Sequence, residues 1–419
     1  MSNSQIGIHL FLQLAVIIAC CRVVGWVGRR WFGQTQVFME MVAGVLLGPS
    51  LLGLFAPEFQ AWLFPHAPHP NMAILYGLAQ IGLVLYMFVI GLGFEVSLLR
   101  GRVRGAVLVS IAGILVPFLL AAALAPFLLD RGDMFAGEAT PGVAWLFLGA
   151  SISITAFPML ARILYEHGLT GTPLGTLTLA AGSIDDAVAW CLLALVVALF
   201  QANLQAAVLT IVGGLGYGVF MLTIGRKLLR NFVDGPMPES GPTPERFALV
   251  LVVLLVCAWL TDKIGIYAVF GAFVCGAAMP KGRFGQALAQ RIEGVTTALF
   301  LPMFFVYSGL NTRIGLLDSI DLWALTLLVI LLATIGKGVA CMLAARLAGQ
   351  HWRDSAIIGA LMNARGMMEL ILLNIGLERG LISPTLFTIL VLMAIVTTGM
   401  ASPLYRWLNR NGQAGELVQ

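Results

Sequence analysis

The chain has 419 residues, of which 59% are hydrophobic and only 11% are charged. Its mean hydropathy of +0.95 lies outside the balance of soluble domains and indicates a polytopic membrane protein surrounded by lipid. The formal net charge of +4 does not indicate a nucleic-acid partner, because in a membrane chain the placement of basic residues matters more than their sum. We therefore expect an all-α membrane protein that does not bind nucleic acid.

Apolar runs of about 17 to 25 residues, long enough to cross about 30 Å of hydrocarbon, recur from end to end without an intervening soluble domain. They predict one transmembrane domain over residues 1–409 and a short cytoplasmic tail over 410–419, too short for an attached nucleotide-binding domain. The thirteen predicted spans are Ile6–Val27, Val37–Phe55, Met72–Leu92, Arg104–Leu129, Gly142–Tyr165, Pro173–Phe200, Leu204–Gly225, Phe247–Leu260, Ile266–Met279, Ala287–Ser308, Leu322–Leu347, Ser355–Leu377 and Pro384–Trp407.

Lysine and arginine are divided unevenly between alternate loops. One set of loops carries 17 of the 24 basic residues and the other only four, while Arg22, Lys337 and Arg365 lie within spans. Cytoplasmic loops carry the excess of basic residues in membrane proteins. The bias predicts a multi-pass protein of the plasma membrane, the inner membrane in a bacterium, with its N-terminus outside and its C-terminus in the cytoplasm.

The longest polar connection, RKLLRNFVDGPMPESGPTPER, runs from Arg226 to Arg246, just past the middle of the chain. It predicts a first repeat over about 6–200, a linking span and loop over 204–246, and a second repeat over about 247–407. If spans one to six correspond to spans eight to thirteen, the odd offset inverts the second repeat in the membrane. Inverted repeats are a common transporter architecture.

Spans five and twelve occupy matching positions in the two halves, and both are interrupted. Interrupted helices at matching positions point to a substrate site, because their freed carbonyls and half-helix ends can coordinate a cation. The fold expected is therefore one with two crossed broken helices, although a proline alone is equally well explained by a simple kink. The two segments are SISITAFPMLAR, which contains Ser151, Thr155 and Pro158, and GALMNARGMMEL, which contains Asn363, Arg365 and Glu369.

Two adjacent carboxylates, Asp185 and Asp186, lie inside the otherwise apolar run AAGSIDDAVAWC. An ionisable side chain at membrane depth costs at least a few kcal/mol, so it is kept mainly where it carries ions or protons or has a partner. Neighbouring residues on a helix point about 100° apart, so one carboxylate can pair while the other binds. Since Lys337 is the only lysine within a span, we expect an Asp185–Lys337 salt bridge and an ion-binding Asp186. The alternative is a static network of all three residues that holds spans together.

Asp186 can couple two ions because a proton and a hard monovalent cation exclude each other from one carboxylate. Its oxygens, the Thr155 hydroxyl and carbonyls near the break of span five are the oxygen ligands that such a cation prefers. Arg365 and Glu369, four apart on one helix face, are expected to compensate each other or the half-helix ends. Apart from the transported cation we expect no metal. No cofactor is expected either, because GGLGYG (213–218) does not fit the dinucleotide-binding pattern.

Five motifs in order carry a family resemblance: ITAFPMLARIL, GSIDDAVAWCLLA, FGAFVCGAAMPKG, FFVYSGLNT and MNARGMMELILLNIGL. With these motifs the chain resembles the second monovalent cation:proton antiporter family, which includes the Kef-type potassium efflux antiporters and the plant cation/proton exchangers. The resemblance implies about thirteen spans, a core bundle moving against a dimerisation bundle, and a homodimer. It places the ion-binding aspartate on Asp186, the preceding acid on Asp185 and the core lysine on Lys337.

These observations predict a secondary antiporter that exchanges Na+ or K+ for protons by alternating access around Asp186, with pH homeostasis among its possible roles. Two alternatives remain: a sodium-coupled organic anion symporter of similar fold and a non-transporting ion sensor. The symporter would need a basic group at mid-depth beyond Lys337 and Arg365. An enzyme is not expected, since an intramembrane aspartyl protease needs two aspartates that converge from separate helices.

Overall fold

The computed structural model describes residues 3–65, 69–93, 103–135, 139–169, 172–200, 204–233, 241–265 and 267–416. Over these residues the regular secondary structure is helical, apart from an isolated bridge between Phe135 and Ile382. The helices are α1 (Asn3–Val27), α2 (Gln36–Leu47), α3 (Leu52–Phe55), α4 (Pro57–Leu63), α5 (Pro70–Gly93), α6 (Val103–Asp130), α7 (Pro141–Ser153), α8 (Phe157–Glu166), α9 (Pro173–Phe200), α10 (Leu204–Phe220), α11 (Arg226–Val233), α12 (Pro244–Ile264), α13 (Ala268–Ala278), α14 (Arg283–Val295), α15 (Leu301–Leu310), α16 (Ile320–Leu347), α17 (Trp352–Met362), α18 (Met367–Glu378) and α19 (Pro384–Glu416).

Short irregular turns extend three of these helices. π-helical turns follow α1 (Gly28–Phe32), join α10 to α11 (Met221–Gly225) and join α14 to α15 (Thr296–Phe300), and a 3-10 turn covers Ile314–Leu316.

Eight helical segments within the described residues are long and apolar enough to cross a membrane, judged by length and composition. The chain is therefore a polytopic membrane protein. The sequence predicts thirteen spans, and some of these are not among the eight long segments. Predicted spans five and twelve are each built from two short helices, and predicted span nine corresponds to the 11-residue α13. Thirteen spans and two inverted repeats stay predictions.

The chain divides into two compact units, each built from separate stretches of sequence. Unit 1 comprises Met1–Cys20, Glu58–Val96 and Val197–Tyr307, and unit 2 comprises Cys21–Pro57, Ser97–Val196 and Ser308–Gln419. Each unit draws on both predicted repeats. Every residue proposed for the site belongs to unit 2.

The first broken helix of unit 2 begins and ends for local reasons. Thr140 caps α7 by accepting a hydrogen bond from Val143 N, and Pro141 occupies the first turn, where its missing N–H is tolerated. The helix ends at Ser153 because Ile154 takes an extended conformation with φ −63° and ψ 130°. Helix α8 restarts at Phe157, so residues 154–156 form the first break.

The second broken helix packs closely on α16 through a pair of glycines. A Cβ atom on Gly359 of α17 would collide with the carbonyl oxygen of Gly338 on α16, and one on Gly338 would lie 2.5 Å from Asn363 Nδ2. Without side chains at these positions the backbones approach directly, as small residues allow in membrane helices. The contact places the second break, residues 363–366, beside the helix that carries Lys337.

Candidate functional site

The two breaks are joined by hydrogen bonds. Ala156 N donates to Ala364 O over 3.0 Å, and the Thr155 hydroxyl lies 2.9 Å from Met362 O. Each bond runs from the first break to the end of α17 or the residues just after it. Backbone groups that leave a helix inside an apolar region need such partners, since an unsatisfied group there costs several kcal/mol.

Asp185 lies on α9 beside these breaks and accepts three hydrogen bonds. Its Oδ2 is 2.7 Å from Lys337 Nζ and 2.9 Å from Thr155 Oγ1, and its Oδ1 is 2.5 Å from Ser110 Oγ on α6. The side chain is buried. An ionised carboxylate only accepts hydrogen bonds, so the three donors suit a charged Asp185, held by α6, α16 and the first break.

Lys337 is fully buried and its ammonium group faces three acceptors. They are Asp185 Oδ2 at 2.7 Å, Gly113 O at 3.3 Å and the carbonyl of Ser153 at the end of α7. An ammonium group has three N–H donors and no acceptor, so these contacts match its full capacity. All three donors of Lys337 are therefore used, by Asp185, by Gly113 and by the end of α7.

Arg365, in the second break, is also fully buried. Its Nη1 lies 2.6 Å from Ser151 O and its Nη2 lies 2.5 Å from Ile152 O. These carbonyls belong to the last turn of α7, where a helix leaves its carbonyls unpaired and carries partial negative charge. The guanidinium therefore caps a half-helix that is distant in sequence.

Two further contacts fix Arg365. Its Nη1 lies 3.5 Å from Glu369 Oε2, four residues along the chain, and its backbone N and O both lie 3.0 Å from Thr398 Oγ1 on α19. Glu369 is fully buried, so its carboxylate compensates the guanidinium where water cannot. Through the ion pair and the cap on α7, Arg365 and Glu369 stabilise the second break.

The remaining predicted residues lie on the same elements. Asp186 is buried, with a relative exposure of 2%, one position beyond Asp185 on α9. Ser151 contributes its carbonyl to Arg365, and its hydroxyl donates to Phe147 O one turn earlier. The Asn363 amide donates to Thr334 O over 3.1 Å and to Gly359 O over 3.4 Å. Pro158 lies in the first turn of α8, and its side chain is outside the described residues.

Thr155 lies at the point where the first break meets Asp185 and α17. Its hydroxyl is 2.9 Å from both Asp185 Oδ2 and Met362 O, and its role as a cation ligand beside Asp186 stays a prediction. A hydroxyl carries one proton, which these two acceptors share. Thr155 thus connects Asp185 to the end of α17.

Sequence reasoning missed Ser110, Gly113 and Thr398. Ser110 and Gly113 lie on α6 and contribute a hydroxyl to Asp185 and a carbonyl to Lys337, and Thr398 lies on α19. Each stands in an apolar stretch with no charged neighbour. The only available signal for Ser110 and Thr398 was a small polar residue inside a predicted span, and such residues commonly pack helices together. Gly113 gave no signal, because it contributes a peptide carbonyl.

Five ionisable residues are buried together on α9, α16, α18 and the second break: Asp185, Asp186, Lys337, Arg365 and Glu369. With every group ionised, three negative and two positive charges leave a net charge of −1. Lys337 is bound to Asp185 and Arg365 to Glu369. One proton or one monovalent cation would then bring the group to neutrality.

Comparison with known proteins agrees with this chemistry. A family model described as "Sodium/hydrogen exchanger, transmembrane" matches residues 14–408. The chain is 40% identical to the Na+/H+ antiporter NhaS4 of Synechocystis over 398 residues, which cover 94% of this chain and 96% of that protein. It is 36% identical to cation/H+ antiporter 17 of Arabidopsis thaliana, over 97% of this chain and 49% of that protein.

The K+/H+ antiporter 1 of Saccharomyces cerevisiae is 31% identical, over 96% of this chain and 46% of that protein. The chain thus spans about half the length of the plant and yeast relatives and nearly all of the cyanobacterial one.

Proposed function

Because the chain belongs to the sodium/hydrogen exchanger transmembrane family, we propose that it exchanges a monovalent cation, Na+ or K+, for protons by alternating access around Asp186. As a member of this family it is a transporter and not an enzyme. The names of its relatives supply the candidate cations: the cyanobacterial protein is named for Na+ and the yeast protein for K+.

The observation that supports the proposal is that the ammonium group of Lys337 is fully bonded. All three of its donors face acceptors, and one of those acceptors is Asp185. Asp185 in turn receives three hydrogen bonds. Asp186, at the next position on the same helix, is the second carboxylate of the pair and is not needed to neutralise Lys337. We assign the transported ions to Asp186 and the positioning of α9 to Asp185.

The exchange cycle follows from competition at one carboxylate. When Asp186 holds a proton it has lost the charge that attracts a hard cation, and when it holds the cation a proton has no free site. Either load neutralises the buried group, so both loaded forms can change the side of access, whereas the empty form retains a buried charge that is costly in an apolar setting. Thr155 lies against Asp185 and the end of α17, and we assign the remaining oxygen ligands of the cation to this group.

The competing symporter hypothesis requires a cationic group for an organic anion. The two buried cations of the described core are Lys337 and Arg365, and both are engaged by carboxylates and by the carbonyls of α7. An anion would have to break those contacts. The geometry therefore favours a cation over an organic anion as the substrate.

Reconstituted protein tests the proposal directly. Proteoliposomes that carry a pH-sensitive dye receive Na+, K+, Li+ or choline, with wild type, Asp186→Asn and the control Asp262→Asn side by side; Asp262 is an exposed acid near the end of α12. We expect cation-dependent proton movement from wild type and from the control, none with choline, and none from folded Asp186→Asn. Transport by Asp186→Asn at the wild-type rate would overturn the assignment.

We also propose the orientation and assembly that the basic residues and the family resemblance support: an N-terminus outside, a C-terminus in the cytoplasm of a bacterial inner membrane, two inverted repeats and a homodimer. A C-terminal green fluorescent protein fusion reports the orientation, since it folds and fluoresces on the cytoplasmic side. Mass measurement of the detergent-solubilised protein reports the oligomeric state. A dark fusion or a monomer would contradict the respective proposal.

A further inference from the structure

Unit 1 contains a cavity of about 400 Å³ whose lining residues all belong to that unit. Its walls come from α10, the following π-helical turn, α11, α12, Met279 and Phe284. Arg246 is the one charged residue among the described residues that line it, and the remaining lining is almost entirely apolar. The volume lies within the range of pockets that hold small ligands.

The cavity is long, because one wall runs along most of α12. Arg246, Val250, Val253, Cys257 and Leu260 recur at helical spacing along this wall. Fourteen positions at a rise of about 1.5 Å each give a length of about 20 Å. That length exceeds half of the hydrocarbon thickness of about 30 Å, so an extended chain fits this cavity better than a compact ligand.

The cavity is also open at its side to the surroundings of unit 1. Lining residues on both walls are strongly exposed, including Phe220 at 46%, Leu228 at 49% and Val252 at 57%. An exposed apolar groove of a membrane protein faces acyl chains, and a chain lying in it would cover these side chains. A groove that is open on this side would admit an acyl chain laterally from the membrane.

Positive charge gathers at the end of the groove that contains Arg246. Arg226, Lys227 and Arg230 lie on α11, whose residues Leu228 and Leu229 line the groove. Arg291 stacks over Phe247, next to Arg246, and donates to Pro242 O. Among the described residues of α11 and the first turn of α12, Glu245 alone has the opposite charge.

We propose that this groove binds one acyl chain of an anionic phospholipid, with the phosphate headgroup against Arg246 and the basic residues of α11. The sequence predicts this end at the cytoplasmic face, where anionic lipids meet basic residues at membrane helix ends. The apolar stripe sets the path of the chain and Arg246 sets its register. Lipid and site thus match in charge at one end and in polarity along the whole length.

The test uses the full chain in vesicles of phosphatidylethanolamine that contain a trace of lipid with a photoactivatable acyl chain, either phosphatidylglycerol or phosphatidylcholine. Irradiation and mass spectrometry locate the adducts. Three variants are compared with wild type. Arg246→Gln removes the headgroup contact, Val253→Trp fills the groove, and Arg104→Gln removes an exposed charge of unit 2 as the matched control.

For wild type and the control we expect phosphatidylglycerol to label α12 at least about fivefold more than phosphatidylcholine, since each basic residue near an anionic headgroup provides a preference of about fivefold. Arg246→Gln should lower that preference about fivefold, and Val253→Trp should remove both labels while the protein still elutes as a single folded species. Equal labelling of wild type by both lipids, an unchanged preference in Arg246→Gln, or no groove label because a second copy covers it would each overturn the proposal. Since none of these readouts measures transport, failure here leaves the antiport proposal standing.

Discussion

The two broken helices of unit 2 end in chemically different ways. At the end of α7, the carbonyls of Ser151, Ile152 and Ser153 face the side chains of two buried cations, Arg365 and Lys337. At the end of α17 the partners are neutral. There, Met362 O faces the Thr155 hydroxyl and, two residues beyond the end, Ala364 O accepts from the backbone N–H of residue 156.

This difference gives the two half-helix ends different electrostatic potentials. The C-terminal end of a helix carries partial negative charge. At α7 that charge is compensated by two full positive charges, whereas at α17 no ionised donor contacts the described carbonyls. The end of α17 therefore adds negative potential near the aspartate pair, and the end of α7 acts as a fixed anchor. Substitutions at the two ends should have unequal consequences.

The largest effect is expected from Arg365→Met, which attacks the anchored end. It leaves Ser151 O and Ile152 O without their donor and leaves Glu369 buried without its partner. Breaking a buried ion pair by removing one partner costs about 3 to 5 kcal/mol, so we expect a large fall in the thermal unfolding temperature of the solubilised protein.

The exposed Arg379 at the end of α18 provides the matched control, and Arg379→Met should unfold like wild type. The double variant Arg365→Met/Glu369→Gln should recover part of the loss. A single variant as stable as wild type would show that α7 needs no cationic cap.

A smaller loss is expected from Lys337→Met. Asp185 would still keep the hydroxyls of Ser110 and Thr155 as donors, so the cost should be about 3 kcal/mol, at the low end for a broken buried pair. Coupling should change as well, because the net charge of the buried group becomes more negative. Thermal unfolding and the voltage dependence of exchange measure the two effects, with the exposed Lys263→Met as control. Unchanged unfolding together with unchanged coupling would contradict the role assigned to the salt bridge.

The smallest effect is expected from Thr155→Val at the neutral end. The variant keeps the shape and loses one hydroxyl that serves Asp185 and Met362 O, which should cost about 2 kcal/mol for a hydrogen bond to a charged group. Transport should slow, since Asp185 and the end of α17 would no longer be linked. Thr155→Ser should restore both properties, and Thr223→Val at an exposed position of unit 1 should change neither. If Thr155→Val kept wild-type stability and transport rate, contacts other than this hydroxyl would link Asp185 to the end of α17.

The ionic part of the site was largely predictable from the sequence. Lys337 is the only lysine within a predicted span, so the partner of Asp185 could be named, and the two side chains lie 2.7 Å apart. Arg365 and Glu369 follow the spacing of one helix face and lie within 3.5 Å. Charges in an apolar chain are few and costly, which leaves few ways to pair them.

The backbone part of the site was not predictable in the same way. The acceptors of Arg365 and Lys337 on α7 are peptide carbonyls, and every residue has one. The sequence SISIT does not indicate which of these carbonyls lack a hydrogen-bond partner within the helix. The position of Thr155 likewise depends on how the two breaks meet.

The bond between Ala156 N and Ala364 O has a consequence for how such proteins diverge. Both atoms belong to the main chain, so exchange of either side chain for another that fits leaves the bond in place, with proline at 156 as the exception because it lacks the N–H. Side chains around the two breaks can therefore change while the hydrogen bond that joins the breaks stays in place. Proteins of this fold that transport different ions can share this main-chain contact.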